Sequence, residues 1–396
     1  VLESEKIQPL FKNHSHFILD FEYFYGMGKQ LTKSPRQLYS DPGNNGTPVL
    51  LLHKNVFHPY PPPAALLFRL FSFLPFAYSY ALWSFSVYVL IICSFFLLLK
   101  CLNTEPKNGA SGMWFPLILC ISAAPSFLDS SFGNVNSLLL LLCIVYGWSF
   151  NNKKYVSAGV TLSVAFWLKL YPALLLIMLF RTNEKWKLAG SFIIGATFIL
   201  VISLFFIPLE VFKEFFSDIA PAYSKQTTTH IFNQSLAPAL IRIVSPIDSA
   251  FNYNYILIPQ GIRIAVYVII LSAIVLFCLL AWKYKTSDIY TIAGLCNFIP
   301  LITPIGWGYT FVMLYPSMIL LYYKNISKKK ISFVLYLLCW FALATPSYHR
   351  IEQFHVPDIL KLVYYSRYTI AAIVLCFLLF QQMIISRSKE LSVIKA

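Results

Sequence analysis

The sequence predicts an all-α polytopic membrane protein, and three observations carry that prediction. Hydrophobic residues make up 58% of the 396 positions and charged residues only 12%. Ordinary soluble domains carry about 25% charged residues, so this chain keeps its apolar surface from water only if lipid covers it. The mean hydropathy is +0.66. Apolar runs recur along the chain, many close to the roughly 20 residues that cross a bilayer, and short basic turns such as Lys328-Lys329-Lys330 separate them.

Each element follows from its own residues. Residues 1–63 read as a first long polar loop. The chain opens at Val1 in polar residues with no signal-peptide pattern, so a transmembrane helix is expected to precede it. Residues 64–74 follow a proline cluster, carry Arg69 and are too short to span, which predicts an interfacial helix. Residues 82–99 form a span ending at Lys100; 114–128 return, and 134–150 cross again to Lys153-Lys154. Two short apolar stretches, 155–168 and 170–180, flank Lys169. Residues 188–207 lead into a second long polar loop, 208–260, and 262–282 lead back to Lys283 and Lys285. Stretches 289–303 and 309–322 flank the turn Pro304-Ile305-Gly306-Trp307-Gly308, and 331–344 and 364–385 complete a single integral-membrane domain covering 1–396. The count is about 11 spans, or about 12 with the preceding helix.

The net charge of +15 reads as loop lysines that hold topology. Short basic turns at 100–107, 151–154, 181–187, 283–285, 324–330 and 386–395 face the cytoplasm by the positive-inside rule. Alternation then makes 1–63 and 208–260 extracytoplasmic loops. A nucleic-acid partner is excluded, because no soluble domain offers a basic face. The eight cysteines lie in or beside apolar runs and form no Cys-x-x-Cys pair. No His-Glu-x-x-His pattern and no Gly-rich phosphate loop occur, so neither a metal nor a cofactor is expected.

Four clusters on the outer side can carry chemistry. The first joins Asp20, Glu22, Tyr23 and Tyr25 to His58 and Tyr60. Asp20 suits a general base acting on a hydroxyl, and it equally suits a helix N-cap. The second holds Asp129, Asn134 and Asn136 at the start of a span. The asparagines either cap that helix or hold sugar hydroxyls, since amides both donate and accept. The third is Lys169, whose ammonium between apolar segments suits a phosphate counter-ion unless it snorkels to the interface. The fourth is Asn233-Gln234-Ser235-Leu236 with Arg242 beyond it. A guanidinium suits a phosphate through its forked donors, or is an ordinary loop cation. Trp307, with Tyr23, Tyr25 and Tyr60, offers aromatic faces for a sugar or lipid, as interfacial belts also do.

Taken in order, these clusters resemble glycosyltransferase family 87, the polyprenyl-phosphate-mannose-dependent transferases of the GT-C superfamily. Asp20-Phe21 with Tyr23 and Tyr25 resembles that family's Asp-Phe-x-x-Tyr-Tyr element. Phe57-His58-Pro59-Tyr60-Pro61-Pro62 resembles its Tyr-Pro-Pro element. Gly133-Asn134-Val135-Asn136 is similar to its Gly-Gln-x-Asn, with Asn134 in place of Gln. Lys169-Leu170-Tyr171-Pro172 is similar to its Lys-x-x-Pro turn, and Asn233-Gln234-Ser235-Leu236 to its Asn-Gln-Ser-Leu. One element departs from the pattern. The family often shows Ser-Pro-x-x-Trp and then a histidine, whereas Thr303-Pro304-Ile305-Gly306-Trp307 is followed here by Gly308 and Tyr309.

The resemblance implies a GT-C-type transmembrane bundle in the cell (inner) membrane, with its active site on the extracytoplasmic face. It implies inverting transfer of a hexose, mannose, from a polyprenyl-phosphate sugar to a lipid or glycan acceptor, amid membrane lipids. Asp20 would deprotonate the acceptor, and Lys169 and Arg242 would neutralise the phosphate. Tyr23, Tyr25, His58, Tyr60, Asp129, Asn134, Asn136, Asn233, Gln234 and Trp307 would line the substrates. A reading from another class is a lipid-linked-sugar transporter or flippase, which Lys169 and the broken helix pair around it also fit. A third is a family member that only binds polyprenyl phosphate.

Overall fold

The computed structural model describes residues 20–39, 60–102, 109–245, 255–284, 286–323, 330–345 and 357–394. Among these the chain is all-α apart from one two-residue antiparallel pair, β1 (Gln226–Thr227) with β2 (Ile256–Leu257). His58 lies outside the described residues.

The first polar segment, expected as loop, contains a helix. In α1 (Asp20–Lys33), Asp20 and Glu22 occupy the first turn and Lys33 the last, the arrangement that complements the helix dipole. Phe21, Phe24, Tyr25, Gly28 and Leu31 bury one face, at the three- and four-residue spacing of an amphipathic helix. That face packs on α2 (Ala64–Phe71), the short helix expected at the interface. Gly28 permits the approach, because a Cβ there would stand 2.5 Å from the Phe68 carbonyl oxygen. Phe24 stacks on Phe68 at a centroid separation of 4.3 Å, and Phe68 meets Trp83 edge-on at 5.1 Å.

Among the described residues, four helices are long and apolar enough to cross a membrane: α3 (Phe76–Leu102), α8 (Lys185–Leu204), α12 (Gln260–Lys283) and the first part of α17 (Arg367–Ile394). A fifth arises if α4 (Gly109–Ser122) and α5 (Ala124–Phe132) count as one span bent by 48°. Pro125 in the first turn of α5 suits a fresh helix start and cannot continue the old one. The expected count of about 11 spans exceeds the helices that meet this length, because breaks cut the remaining apolar runs. The pieces α6 (Asn136–Asn151), α7 (Tyr155–Leu168), a 3-10 segment (Tyr171–Arg181), α13 (Asp288–Ile302) and α15 (Lys330–Ala344) are each 10–17 residues long.

The second long loop folds over the same end as α1. It holds α9 (Leu209–Glu214), α10 (Ala220–Ser224) and α11 (Leu236–Val244). At the centre of the bundle stand α13, a 3-10 turn (Gly308–Leu314) and α14 (Tyr315–Tyr323), buried on nearly every side. That is the pattern of a helix surrounded by helices rather than by lipid. A last short helix, α16 (Asp358–Tyr365), keeps Ile359, Leu360 and Val363 exposed, as an interfacial helix does.

Candidate functional site

The site grows from the turn between α5 and α6. Gly133 follows α5 in the left-handed conformation (φ 66), which only glycine adopts cheaply. Helix α3 grips this turn at several points. Tyr80 Oη donates to Ser131 O at 2.6 Å, Ser84 Oγ to Ser130 O at 2.9 Å, and Trp83 Nε1 to Asn134 O at 3.1 Å. The backbone that carries Asn134 and Asn136 is therefore fixed before any ligand arrives.

Sequence reasoning left open whether these asparagines cap α6. They do not. Asp129 does, from the preceding helix: Ser137 N and Ser137 Oγ donate to its Oδ2 at 2.8 and 2.6 Å. A carboxylate facing a helix N-terminus is a favourable cap. Asn136 Nδ2 donates to Asp129 Oδ1 at 3.2 Å and to Asn134 Oδ1 at 2.8 Å. With its amide nitrogen so engaged, Asn136 turns its Oδ1 to Lys169 Nζ at 2.8 Å.

Asn134 joins two of the three charges of the site. Its Nδ2 donates to Asp20 Oδ2 at 2.6 Å, and its Oδ1 accepts from Tyr60 Oη at 3.1 Å and from Lys169 Nζ at 3.3 Å. Asp20 and Lys169 thus sit at opposite ends of one amide and form no direct ion pair. Lys169 is half-buried in the extended turn that ends α7. Desolvation pulls its ammonium down to about 8, and the nearby charges of Asp129 and Asp20 oppose that fall. The ring of Tyr60 lies 5.3 Å from Lys169 Nζ, within range of a cation–π contact.

A cavity of about 510 Å³ begins at this ammonium. Its polar end is formed by Tyr60, Asn136, Lys169, Tyr223, Trp307 and Tyr309, and its other wall by Leu139, Ile270, Leu271, Ile274, Ile299 and Ile302. Tyr267 and Leu271 also belong to the exposed face of α12, so the apolar end reaches the lipid-facing side of the bundle. Asp20 is buried just behind the polar end and acts electrostatically on both Tyr60 and Tyr309.

The structure therefore brings together Asp20, Tyr60, Asp129, Asn134, Asn136, Lys169 and Trp307. The other expected residues lie elsewhere. Tyr25 Oη donates to Leu74 O at 2.8 Å, away from the cavity. Tyr23 faces Glu214 and Tyr39. Asn233 ties the second outer loop to the 303–307 turn, donating to Pro304 O at 3.3 Å and accepting from Gly306 N at 2.8 Å. Gln234 Nε2 donates to Tyr365 O at 2.7 Å. Arg242 is buried, and its guanidinium donates to the carbonyls of Thr229, His230 and Asn233 and to Ser366 Oγ. That arginine clamps its own loop and does not line the cavity. Sequence reasoning missed Ser137, Tyr223 and Tyr309 as parts of the site. Tyr309 carried a signal, since it stands just past Trp307 where the family often shows a histidine.

The fold and the cluster together define an all-α membrane protein with a buried acid and a half-buried ammonium linked across one end of a lipid-facing cavity. The sequence profile of glycosyltransferase family 87 matches residues 57–304. The chain belongs to that family and is a membrane glycosyltransferase. No curated protein and no solved structure matches it.

Proposed function

We propose that this glycosyltransferase moves a hexose, mannose, from a polyprenyl-phosphate donor to a lipid or glycan acceptor, with inversion, on a GT-C-type bundle. The site would face the extracytoplasmic side of the cell membrane. The observation that supports this best is the shape of the cavity. It runs from one half-buried ammonium to an apolar wall open to lipid, which suits a phosphate carried on an isoprenoid chain.

The chemistry follows from the linked pair. Asp20 takes the proton of the acceptor hydroxyl as that oxygen attacks the anomeric carbon. The bond from that carbon to the phosphate oxygen breaks, and its electron pair leaves with polyprenyl phosphate. Lys169 stabilises the charge that grows on the leaving phosphate. Asn134 stands between the carboxylate and the ammonium, so they do not pair directly, and attack opposite the phosphate inverts the centre. Tyr60 and Trp307 supply faces on which the sugar ring can stack.

The test is transfer of radiolabelled mannose from polyprenyl-phosphate mannose into membrane lipids, by the parent and by Asp20→Asn. The expected result is transfer by the parent and little by the variant. A folded parent that transfers nothing from this donor overturns the donor assignment.

A further inference from the structure

A second cavity, of about 1010 Å³, lies at the other end of α7. It opens beside Tyr155, the first residue of α7, whereas Lys169 follows its last. Fourteen residues of helix separate the two sites, roughly 21 Å along the axis. Lys153, Lys154, Arg181 and Lys187 line it, with Glu184 as the one carboxylate in its wall. Lys187 pairs with Glu184 at 3.1 Å, and Arg181 is held by Asp288 at 3.0 Å and by the carbonyls of Ala281 and Thr286. Among the described residues, neither Lys153 nor Lys154 has a carboxylate within ion-pair distance. Among those residues, their charges have no carboxylate partner at the cavity wall.

Two further features give this charge a ligand class. Lys153 adopts the left-handed conformation (φ 58), the only non-glycine described residue to do so. Glycine or asparagine fills such a post-helical position at low cost. A lysine there is strained, and what it adds is a cation at the cavity. In addition, Val156 and Val160 continue the lining onto the outer face of α7, where they are 58% and 45% exposed. Lys154 Nζ stands 4.8 Å over the Trp148 ring, and Trp186 is exposed nearby. Tryptophans of this kind mark the headgroup level of a bilayer.

We propose that this cavity seats the phosphoester headgroup of an anionic membrane lipid, in the leaflet opposite the Asp20–Lys169 site. Lys153 and Lys154 meet the phosphate, and Val156 and Val160 meet the first carbons of the acyl chains. Basic recesses between membrane helices suit such headgroups, and the apolar flank favours a lipid over a free anion.

The experiment uses the purified protein in neutral detergent. Its Tm and its retention of lipid in native mass spectrometry are measured with phosphatidylglycerol, with phosphatidylcholine and with inorganic phosphate. Phosphatidylglycerol is expected to bind and raise the Tm, and the other two are not. Lys153→Asn is expected to bind phosphatidylglycerol about 5-fold more weakly, and the double variant with Lys154→Gln about 25-fold. Because Lys153→Asn relieves strain, its lipid-free Tm is expected to equal or exceed the parent's, so weaker binding is not a sign of poor folding. Parental affinity in the double variant overturns the proposal. So does equal stabilisation by phosphatidylcholine, or by inorganic phosphate at the same anion concentration.

Discussion

Asn134 sets the character of the site at the scale of single residues, because its two amide ends hold a carboxylate and an ammonium. Asp20→Asn is expected to lower transfer by about 10²–10⁴ while donor binding survives, which a kcat against KM comparison reads. Asp129→Asn makes the contrast. Asp129 already accepts from Ser137 and Asn136, so its loss is expected to lower stability by about 1–3 kcal/mol, visible as a lower Tm. Lys169 gives a pH signature. Its ammonium titrates at about 8, so it is charged below that value and neutral above. Donor use is therefore expected to weaken as pH rises through about 8. Lys169→Met is expected to weaken donor use at all pH values by about 2–5 kcal/mol, and Lys169→Arg to move the alkaline limb upward. A flat profile across that range would remove Lys169 from the phosphate site. Lys169 stood out in the sequence because a charge is costly between apolar runs, and Asp20 and the asparagine pair because they stand in segments that resemble the family's. Arg242 was not, since an arginine bound for carbonyls and one bound for a phosphate read alike until the loop around them is folded.

Among the elements, the join between α1 and the α5–α6 turn sets the position of Asp20. A Cβ on Gly133 would stand 2.5 Å from Phe21 Cβ, the residue beside Asp20. Gly133→Ala is expected to cost roughly 1–2 kcal/mol for the left-handed backbone, and to depress transfer by displacing α1. Gly26→Ala, on the same helix with nothing within 4 Å of the added carbon, is expected to leave activity intact and to add about 0.5–1 kcal/mol of stability. Thermal melts and transfer assays on the pair separate the two effects. If both variants behave alike, α1 does not carry the alignment of Asp20. Hydropathy made the positions of the apolar helices readable. It did not reveal α1, whose buried face is aromatic and whose polar face resembles a loop. The bend at Ala123 and the 3-10 segment after Lys169 were equally hidden, because helix type and kink depend on what packs beside the chain.

The whole molecule places a cluster at each end of α7, and its orientation in the membrane is testable. Asn152→Cys lies in the basic turn and Ser217→Cys on the second outer loop, both exposed. In intact cells an impermeant thiol reagent is expected to label Ser217→Cys and spare Asn152→Cys, by the positive-inside rule. The reverse pattern would invert the proposed topology. The walls of the cavity beside Lys169 also come from widely spaced parts of the chain, from Tyr60 and Pro61 through Lys169 and Tyr223 to Tyr309 and Thr310. A ribosome delivers the acid first and the last wall some 290 residues later, by sequence position. During synthesis the half-inserted chain holds a carboxylate and an ammonium but no enclosed space between them, so the enzyme is mute until nearly all of it has entered the bilayer.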